Sequence, residues 1–389
     1  MMPPSVRDRL KAGFYDSLSW MGIYRFGRLL HRHQALILTY HGVLDKPYDG
    51  YTNRNFVSVQ MFDRQMAFIK RHYNVVPLPD LAQWLSAGKK MPAYTAAVTF
   101  DDGFRNNFTV ALPILRKYRL PATVFLTTAF IDSTELGLWT EQVDLLLQEA
   151  QIETVRIGVN GKEREYPLRT GADRETSSDR IRAYLKTLPP DQRQSVITKL
   201  MDQVVPKSAG IKPERRGIAR HSELNAQSAA EIEERYAFLS WLQVRTMTQH
   251  QITFGSHTHT HAIMTTLDEE KAKFELAESG RLIEERLGTP CRLFSYPNGT
   301  ATDFGPREQG LLRRYGYSAA VSQIDGFNDA ATDLTALHRI NVGRNENFNV
   351  FIAKISGVWS LLKRLCTGGS ALDGSAAKSA VFNRVFLRS

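Results

Sequence analysis

Cysteine is scarce: Cys291 and Cys366 are the only two in 389 residues. No disulfide framework is possible. One bridge between the two stays open, but a pair of reduced thiols in a cytoplasmic protein is the expected state. Long apolar runs are also missing. No stretch reaches the 18 or more apolar residues that span a bilayer, and Arg7, Arg9, Lys11, Asp16 and Arg25 interrupt any candidate export signal near the start. There is no internal repeat. The body of the chain lacks a charge excess as well. Of the net charge of +10, residues 1–34 contribute six Lys/Arg against two Asp/Glu, and residues 344–389 seven against two. The centre is therefore near neutral, which argues against a basic nucleic-acid groove.

With 42% hydrophobic and 23% charged residues, the composition is that of a globular protein with a substantial core. Residues 5–33 read as one or two basic amphipathic helices, with Leu10, Phe14, Leu18 and Met21 at helical spacing and Trp20, Ile23, Tyr24, Phe26, Leu29 and Leu30 widening the apolar face. Two readings stay open for that face: the surface of an anionic membrane, or the chain's own catalytic domain. From Ala35 to about residue 345, short apolar runs alternate with helical stretches, which predicts a mainly parallel sheet closing as a (β/α) barrel. Strands with their terminal loops are expected at 35–42, 75–78, 95–103, 123–128, 251–257, 291–299, 317–322 and 336–342, and a helix over 267–287 capped by Thr266 and Glu269.

The rhythm breaks between about 135 and 240. This stretch reads as an insertion with a helix at 139–150, a hairpin around Asn160-Gly161, and charged helices at 174–188 and 190–205. Residues 348–365 read as one amphipathic helix. The Gly/Ser/Ala-rich segment beyond, within the tail 367–389, reads as a flexible linker.

Three constellations sit where strands end, the edge at which α/β folds gather functional side chains. Asp101-Asp102-Gly103 places two carboxylates on different sides of the chain, one for a metal and one for a proton. Alone, such a triplet is often only a turn or helix cap. His257-Thr258-His259-Thr260-His261 puts three of the chain's ten histidines in five residues. His257 and His261 are spaced to share one divalent ion, with His259 facing elsewhere. The third constellation is the loop after CRLFS, FSYPNG at 294–299.

TFDDG at 99–103 followed by H-T-x-x-H at 257–261 resembles the carbohydrate esterase family 4 polysaccharide deacetylases. The likeness covers about 35–130 and 240–345, including TYHG at 39–42, ATVFL at 122–126 and FSYPNG. It implies a distorted (β/α) barrel and hydrolysis of an N-acetyl group on an amino-sugar glycan or glycan precursor, with an O-acetyl ester open to the same mechanism. By matching position, Asp101 is implied as general base and Asp102, His257 and His261 as ligands of one divalent metal, for which zinc suits the donor set. The implied oxyanion donor is the backbone N–H of Asn298. Tyr296, Pro297, Asn298, His41 and Arg339 are expected to border the substrate.

Two departures stand out. Ser295 occupies the place of an arginine that orients the base in many members, with Arg292 or Arg339 as substitutes. Leu337-His338 is the sole late candidate for a general acid, and His338 reads equally well as a strand-end residue. Basic ends and the missing export signal also leave open deformylation or deacetylation of a lipid-linked sugar on the inner face of the membrane. A catalytically silent glycan-binding protein on the same fold is the reading from another class.

Overall fold

Runs such as LILTY and TAAVTF lack polar alternation, and every one of their residues is buried. That is the pattern of a parallel strand covered on both faces. The computed structural model describes residues 13, 15, 17–18, 21–46, 55–135, 137–159, 161–204, 226–343 and 347–366. Helix α1 (Ile23–Leu30) leads into β1 (Leu36–Tyr40), the short parallel pair β2 (Gly42–Leu44) and β3 (Phe56–Ser58), then α2 (Val59–His72), β4 (Asn74–Val75), α3 (Leu78–Ser86) and β5 (Thr95–Phe100). A π-turn at Asn107–Ala111 opens into α4 (Leu112–Tyr118), followed by β6 (Ala122–Leu126). After it come α5 (Trp139–Glu149), the antiparallel hairpin β7 (Thr154–Val159) and β8 (Lys162–Pro167), α6 (Gly171–Leu185), α7 (Pro190–Val204) and α8 (Ala226–Tyr236). The alternation then resumes with α9 (Trp241–Thr248), β9 (Ile252–Ser256), α10 (Glu269–Leu287), β10 (Leu293–Ser295), α11 (Pro306–Arg314), β11 (Ala319–Val321), β12 (Ile340–Asn341), α12 (Phe348–Ile355) and α13 (Val358–Cys366).

The main sheet is parallel throughout, in the order β11-β10-β9-β6-β5-β1-β12, with β4 added to the start of β5. It curls until its edges meet. Leu337, just before β12, bridges Val321 and exchanges backbone hydrogen bonds with Ala320 and Ser322, each 2.8 Å. The result is the expected distorted barrel. The strand period of two sorts its side chains. Leu36, Leu38, Val98, Phe100, Val124 and Phe294 join the core beneath the outer helices. Their neighbours Ile37, Ala97, Phe125, Leu293, Val321 and Leu337 form an inner core plugged by Leu78, Leu81 and Leu85 of α3.

The insertion has a core of its own. Val143, Leu147, Val155, Ile157, Ile181, Leu185, Ile197 and Leu200 pack together, separate from the barrel clusters. The hairpin forms as expected, though Asn160 lies outside the described residues.

Local differences from the sequence reading have identifiable causes. The α10 cap is Asp268, whose carboxylate accepts the Lys271 N–H at 2.8 Å, in place of Thr266. The strand expected at 336–342 shrinks to two residues, because Leu334–Ala336 forms a 3₁₀ turn capped by Asp333. The single helix expected at 348–365 is two, broken where Gly357 turns left-handed at φ 78°. Of the expected N-terminal helices, residues 1–12, 14, 16, 19 and 20, Leu10, Phe14 and Trp20 among them, lie outside the described residues. Cys291 is buried and unbridged.

That break seats α1. A Cβ at Gly27 would lie 2.5 Å from the Ser356 carbonyl oxygen and 2.9 Å from Val358. By contrast, a Cβ at Gly310, within α11, meets nothing within 4 Å. Gly27→Ala is therefore expected to destabilise the protein by about 1–3 kcal/mol through overpacking. Gly310→Ala should be neutral or stabilise by up to about 1 kcal/mol through helix propensity. Denaturant unfolding of both variants checks this; a stable Gly27→Ala would mean that α1 is not held by this contact.

Candidate active site

The interior face of the barrel continues past the strand ends into the site. Ile37, Thr39 and His41 share one parity, as do Ala97, Thr99 and Asp101, Gly255 and His257, Leu293 and Ser295, Val321 and Gln323, and Leu337, Arg339 and Asn341. His41, Asp101, His257, Gln323 and Asn341 all line one cavity of ≈ 350 Å³. A larger cavity, ≈ 950 Å³, is bordered by the N-terminal ends of β9 and β10 and holds none of these groups.

Asp101 is buried, and Arg339, itself buried, grips it at both oxygens: Nη1 to Oδ1 at 2.8 Å and Nη2 to Oδ2 at 2.6 Å. Ser295 Oγ donates to Asp101 at 3.2 Å and accepts from Arg339 at 3.0 Å, while Gln323 donates to Asp101 at 3.3 Å. Burial alone would raise the Asp101 pKa, but Arg339, His257 and His41 outweigh it and hold the carboxyl below its ordinary range. Ser295 thus vacates the space of the arginine expected at that position, and Arg339 fills it from the start of β12. Arg339 is accordingly a partner of Asp101 and does not line the cavity, contrary to its expected place beside substrate. Arg292 donates to the Gly316 carbonyl and borders the larger cavity, too distant in the fold to substitute.

Asp102 breaks the strand parity. Its φ of 74°, followed by 81° at Gly103, swings its carboxylate away from Asp101 toward the histidines. Asp102 Oδ1 lies 3.4 Å from both His257 Nε2 and His261 Nε2, and one ligand atom from each of the three residues falls within 4.8 Å of the others. That oxygen is buried and takes no hydrogen bond. His257 is aimed by its other nitrogen, Nδ1, at 2.7 Å from the Ser295 carbonyl, the usual orientation device of a metal-ligating imidazole. Burial would raise the Asp102 pKa, but the two histidines drive it far below the usual range. One carboxylate, two imidazoles of which His257 is held by the Ser295 carbonyl, and an orphaned oxygen fit a single divalent cation with positions left open.

The loop carrying the histidines is held from α10. Glu275 accepts from the N–H groups of His259 and Thr260 at 2.7 and 2.8 Å and from Thr260 Oγ1 at 2.6 Å. His259 turns away, as expected, to Thr128 and the edge of Phe274. Of the eight non-glycine residues with positive φ among the described residues, four (Asp102, Thr258, His261 and Asn298) lie here. Backbone strain of this kind concentrates where surroundings over-determine a functional geometry.

Other expected site residues separate. His41 lies on the cavity wall between Asn107, which donates to its carbonyl at 2.8 Å, and Asn106, which accepts the Val43 N–H at 3.1 Å. Asn298 also lines the cavity at φ 62°, and its backbone N–H donates to no described residue. Tyr296 and Pro297 do not reach it. Tyr296 is a core residue, stacked on Phe304 and bonded to the Thr335 carbonyl at 2.9 Å. His338 does not reach it either: Asn328 brackets its backbone, and its ring packs over Gly326.

Residues that the sequence did not single out supply the opposite wall: Trp139, Glu141 and Asp144 from α5, and Arg182 and Lys186 from α6 and its end. Burial, then the nearby Asp102, pushes Glu141 up to about 7. Arg182 pairs with buried Asp144 at 2.9 Å. Lys186 donates to Asn298 Oδ1, and among the described residues no carboxylate lies within ion-pair distance of it. Burial pushes its pKa down.

Residues 88–176 and 219–319 match the family model for polysaccharide deacetylases. A poly-beta-1,6-N-acetyl-D-glucosamine N-deacetylase of Staphylococcus epidermidis is 32% identical over 114 residues, 26% of this chain and 39% of that protein. The chain thus aligns with about two fifths of the length of the curated relatives it matches. The Streptococcus pyogenes deacetylase PplD superposes with a TM-score of 0.52 at 16% identity, over 83% of this chain and 99% of that one. IcaB from Ammonifex degensii does so with 0.50 at 16%, over 83% and 97%. At that identity the likeness is one of fold.

The Arg339–Asp101 pair carries an energetic signature independent of any substrate. Arg339→Met leaves a buried carboxylate without its counter-ion, at an expected cost of about 3–5 kcal/mol. Asp101→Asn in the same background should recover much of that loss, because the unpaired charge disappears. Urea unfolding of the two single variants and the double variant measures the coupling; additive losses would mean the pair is not the clamp described.

Proposed function

Since this chain belongs to the polysaccharide deacetylase family, we propose that it hydrolyses the N-acetyl group of an amino-sugar glycan or glycan precursor, releasing acetate and a free amine. The observation that carries this reading is one cavity shared by a clamped carboxylate, Asp101, and the cluster of Asp102, His257 and His261. A divalent cation bound by those three residues, zinc by the nature of the donors, would polarise the acetamide carbonyl and acidify the attacking water.

The chain's own groups divide the remaining work. Asp101, kept ionised by Arg339, takes the proton from the attacking water. The free N–H of Asn298 faces the oxygen on which negative charge develops. With His257 and His261 assigned to the cation and His338 outside the cavity, His41 is the imidazole left to give a proton to the departing amine. Its Nδ1 is buried and takes no partner among the described residues, and Asn107 holds its backbone carbonyl in place. An intact base and ligand set argues against a catalytically silent glycan-binding protein.

One observation favours a substrate that carries an anion, as a lipid-linked sugar phosphate does, over a neutral polymer. Lys186 is a half-buried cation on the cavity wall that forms no ion pair among the described residues, and an anionic group there would relieve the cost of its burial. Lys186→Met should raise KM at least about tenfold for an acetamido-sugar phosphate and leave KM for a neutral N-acetylglucosamine oligomer within about twofold. Equal effects on both would return the lysine to a structural role.

The catalytic assignment is checked by acetate release and by metal content measured on the same preparations. Asp101→Asn is expected to keep the bound metal and lose about 10²–10⁴ in kcat, whereas His257→Ala loses both. His41→Gln should lower kcat with metal retained, and His338→Gln should stay near wild type. Activity lost in His338→Gln but kept in His41→Gln would reverse the assignment of the acid.

A further inference from the structure

Eight large apolar side chains remain exposed among the described residues, and five of them cluster. Met21, Phe26, Leu29 and Leu30 lie on α1 or the turn before it, and Leu361 lies on α13, which packs beside α1. Each is between 45% and 65% exposed. The inner side of the same region is ordinary core. Tyr15, Leu18, Tyr24 and Gly27 are buried, and Tyr15 packs on Trp359 with ring centroids 5.9 Å apart. The two readings of the N-terminal face therefore divide between its two sides. The inner side packs on the domain, and the outer side remains bare.

Charge says what suits that bare side. Residues 17–34 contain Arg25, Arg28 and Arg32 and no Asp or Glu. Residues 347–366 contain Lys354, Lys363 and Arg364 and again no acidic residue. Arg25 and Arg32 are exposed beside the apolar side chains, while Arg28 lies over the Phe68 ring at 5.1 Å. Of the acidic groups close by, Asp325 is paired with Lys363 and Asp329 accepts from Gln34. Aromatic and aliphatic side chains interleaved with unopposed guanidinium groups match the boundary between acyl chains and anionic headgroups. A protein partner would need an apolar patch rimmed with acid. A second copy of this face would oppose arginine to arginine.

We propose that the outer face of α1 and α13 docks on an anionic membrane surface, with Phe26, Leu29, Leu30 and Leu361 entering the headgroup boundary and Arg25 and Arg32 meeting lipid phosphates. No helix among the described residues is long and apolar enough to cross a membrane, so this contact lies in the interface plane. It is independent of the chemistry assigned to the cavity. It accounts for an exposed face whose opposite side is already satisfied by core.

The test is co-sedimentation of the full chain with vesicles of phosphatidylcholine alone and of phosphatidylcholine mixed with phosphatidylglycerol. Binding to the mixed vesicles is expected to exceed binding to the neutral ones by about tenfold or more, and to fall with added salt. Phe26→Ser with Leu30→Ser, and separately Arg25→Gln with Arg32→Gln, should each weaken binding about tenfold. All four side chains are exposed, so metal content and thermal midpoint should match wild type and certify the fold. Equal binding to both vesicle types, or double variants that bind like wild type, would overturn the proposal. So would sedimentation equilibrium showing a wild-type dimer that Phe26→Ser/Leu30→Ser converts to monomer, since a second copy would then cover the face.

Discussion

The site depends on one buried ion pair. Two ionic groups taken out of water are costly, and the Arg339–Asp101 contact compensates by satisfying nearly every hydrogen-bonding position on both partners. Ser295, Gln323, Thr99 and the Ser322 carbonyl complete it. Such a pair adds little net stability compared with apolar packing. What it contributes is a fixed direction for the carboxylate and a guarantee that it is ionised at neutral pH. The same contact ties the start of β12 to the end of β5 across the interior, so the residues that close the barrel also hold the Asp101 carboxylate.

Around this pair the site is built by parity. A strand presents every second residue inward, and the strands that feed the cavity are in register with one another, so His41, Asp101, His257, Ser295, Gln323 and Arg339 converge without long loops. The exceptions are informative. Asp102, Thr258, His261 and Asn298 reach the site only through left-handed backbone, and supports such as Glu275 on α10 and the glycine after Asp102 hold them there.

Much of this was legible in the sequence. Apolar strands, the hairpin, the long helix and the motifs at strand ends follow from local periodicity and from rare residue types in rare spacing. Asp101, Asp102, His257 and His261 belong to that class, and the structure brings them together. What was not legible depended on which strand lies beside which. Arg339 and Arg292 are equivalent on paper, and only the seam between β11 and Leu337 places one of them on Asp101. Tyr296 and Pro297 follow a strand as functional residues do, yet here they turn into the core. His338 carries the right residue type with the wrong parity, one position from Arg339. Glu141 and Lys186 gave no signal at all, because nothing in a charged helical stretch reveals which charge faces a cavity seventy residues away. The division of residues 348–365 was marked only by a single glycine.

The insertion's separate core has a consequence for how this protein can change. The cavity has two walls: one grows from barrel strands and holds Asp101 and the ligand cluster, and the other grows from a helical unit with a core of its own, tied to the barrel where Leu145 of α5 joins Leu44, Phe56 and Phe104. Residues of the helical core such as Ile181, Ile197 and Leu200 lie beneath the second wall, whereas the pairing of Asp101 and the spacing of the histidines rest on barrel residues. The shape of one wall and the geometry of the Asp101 pair and ligand cluster thus rest largely on different residues of one chain.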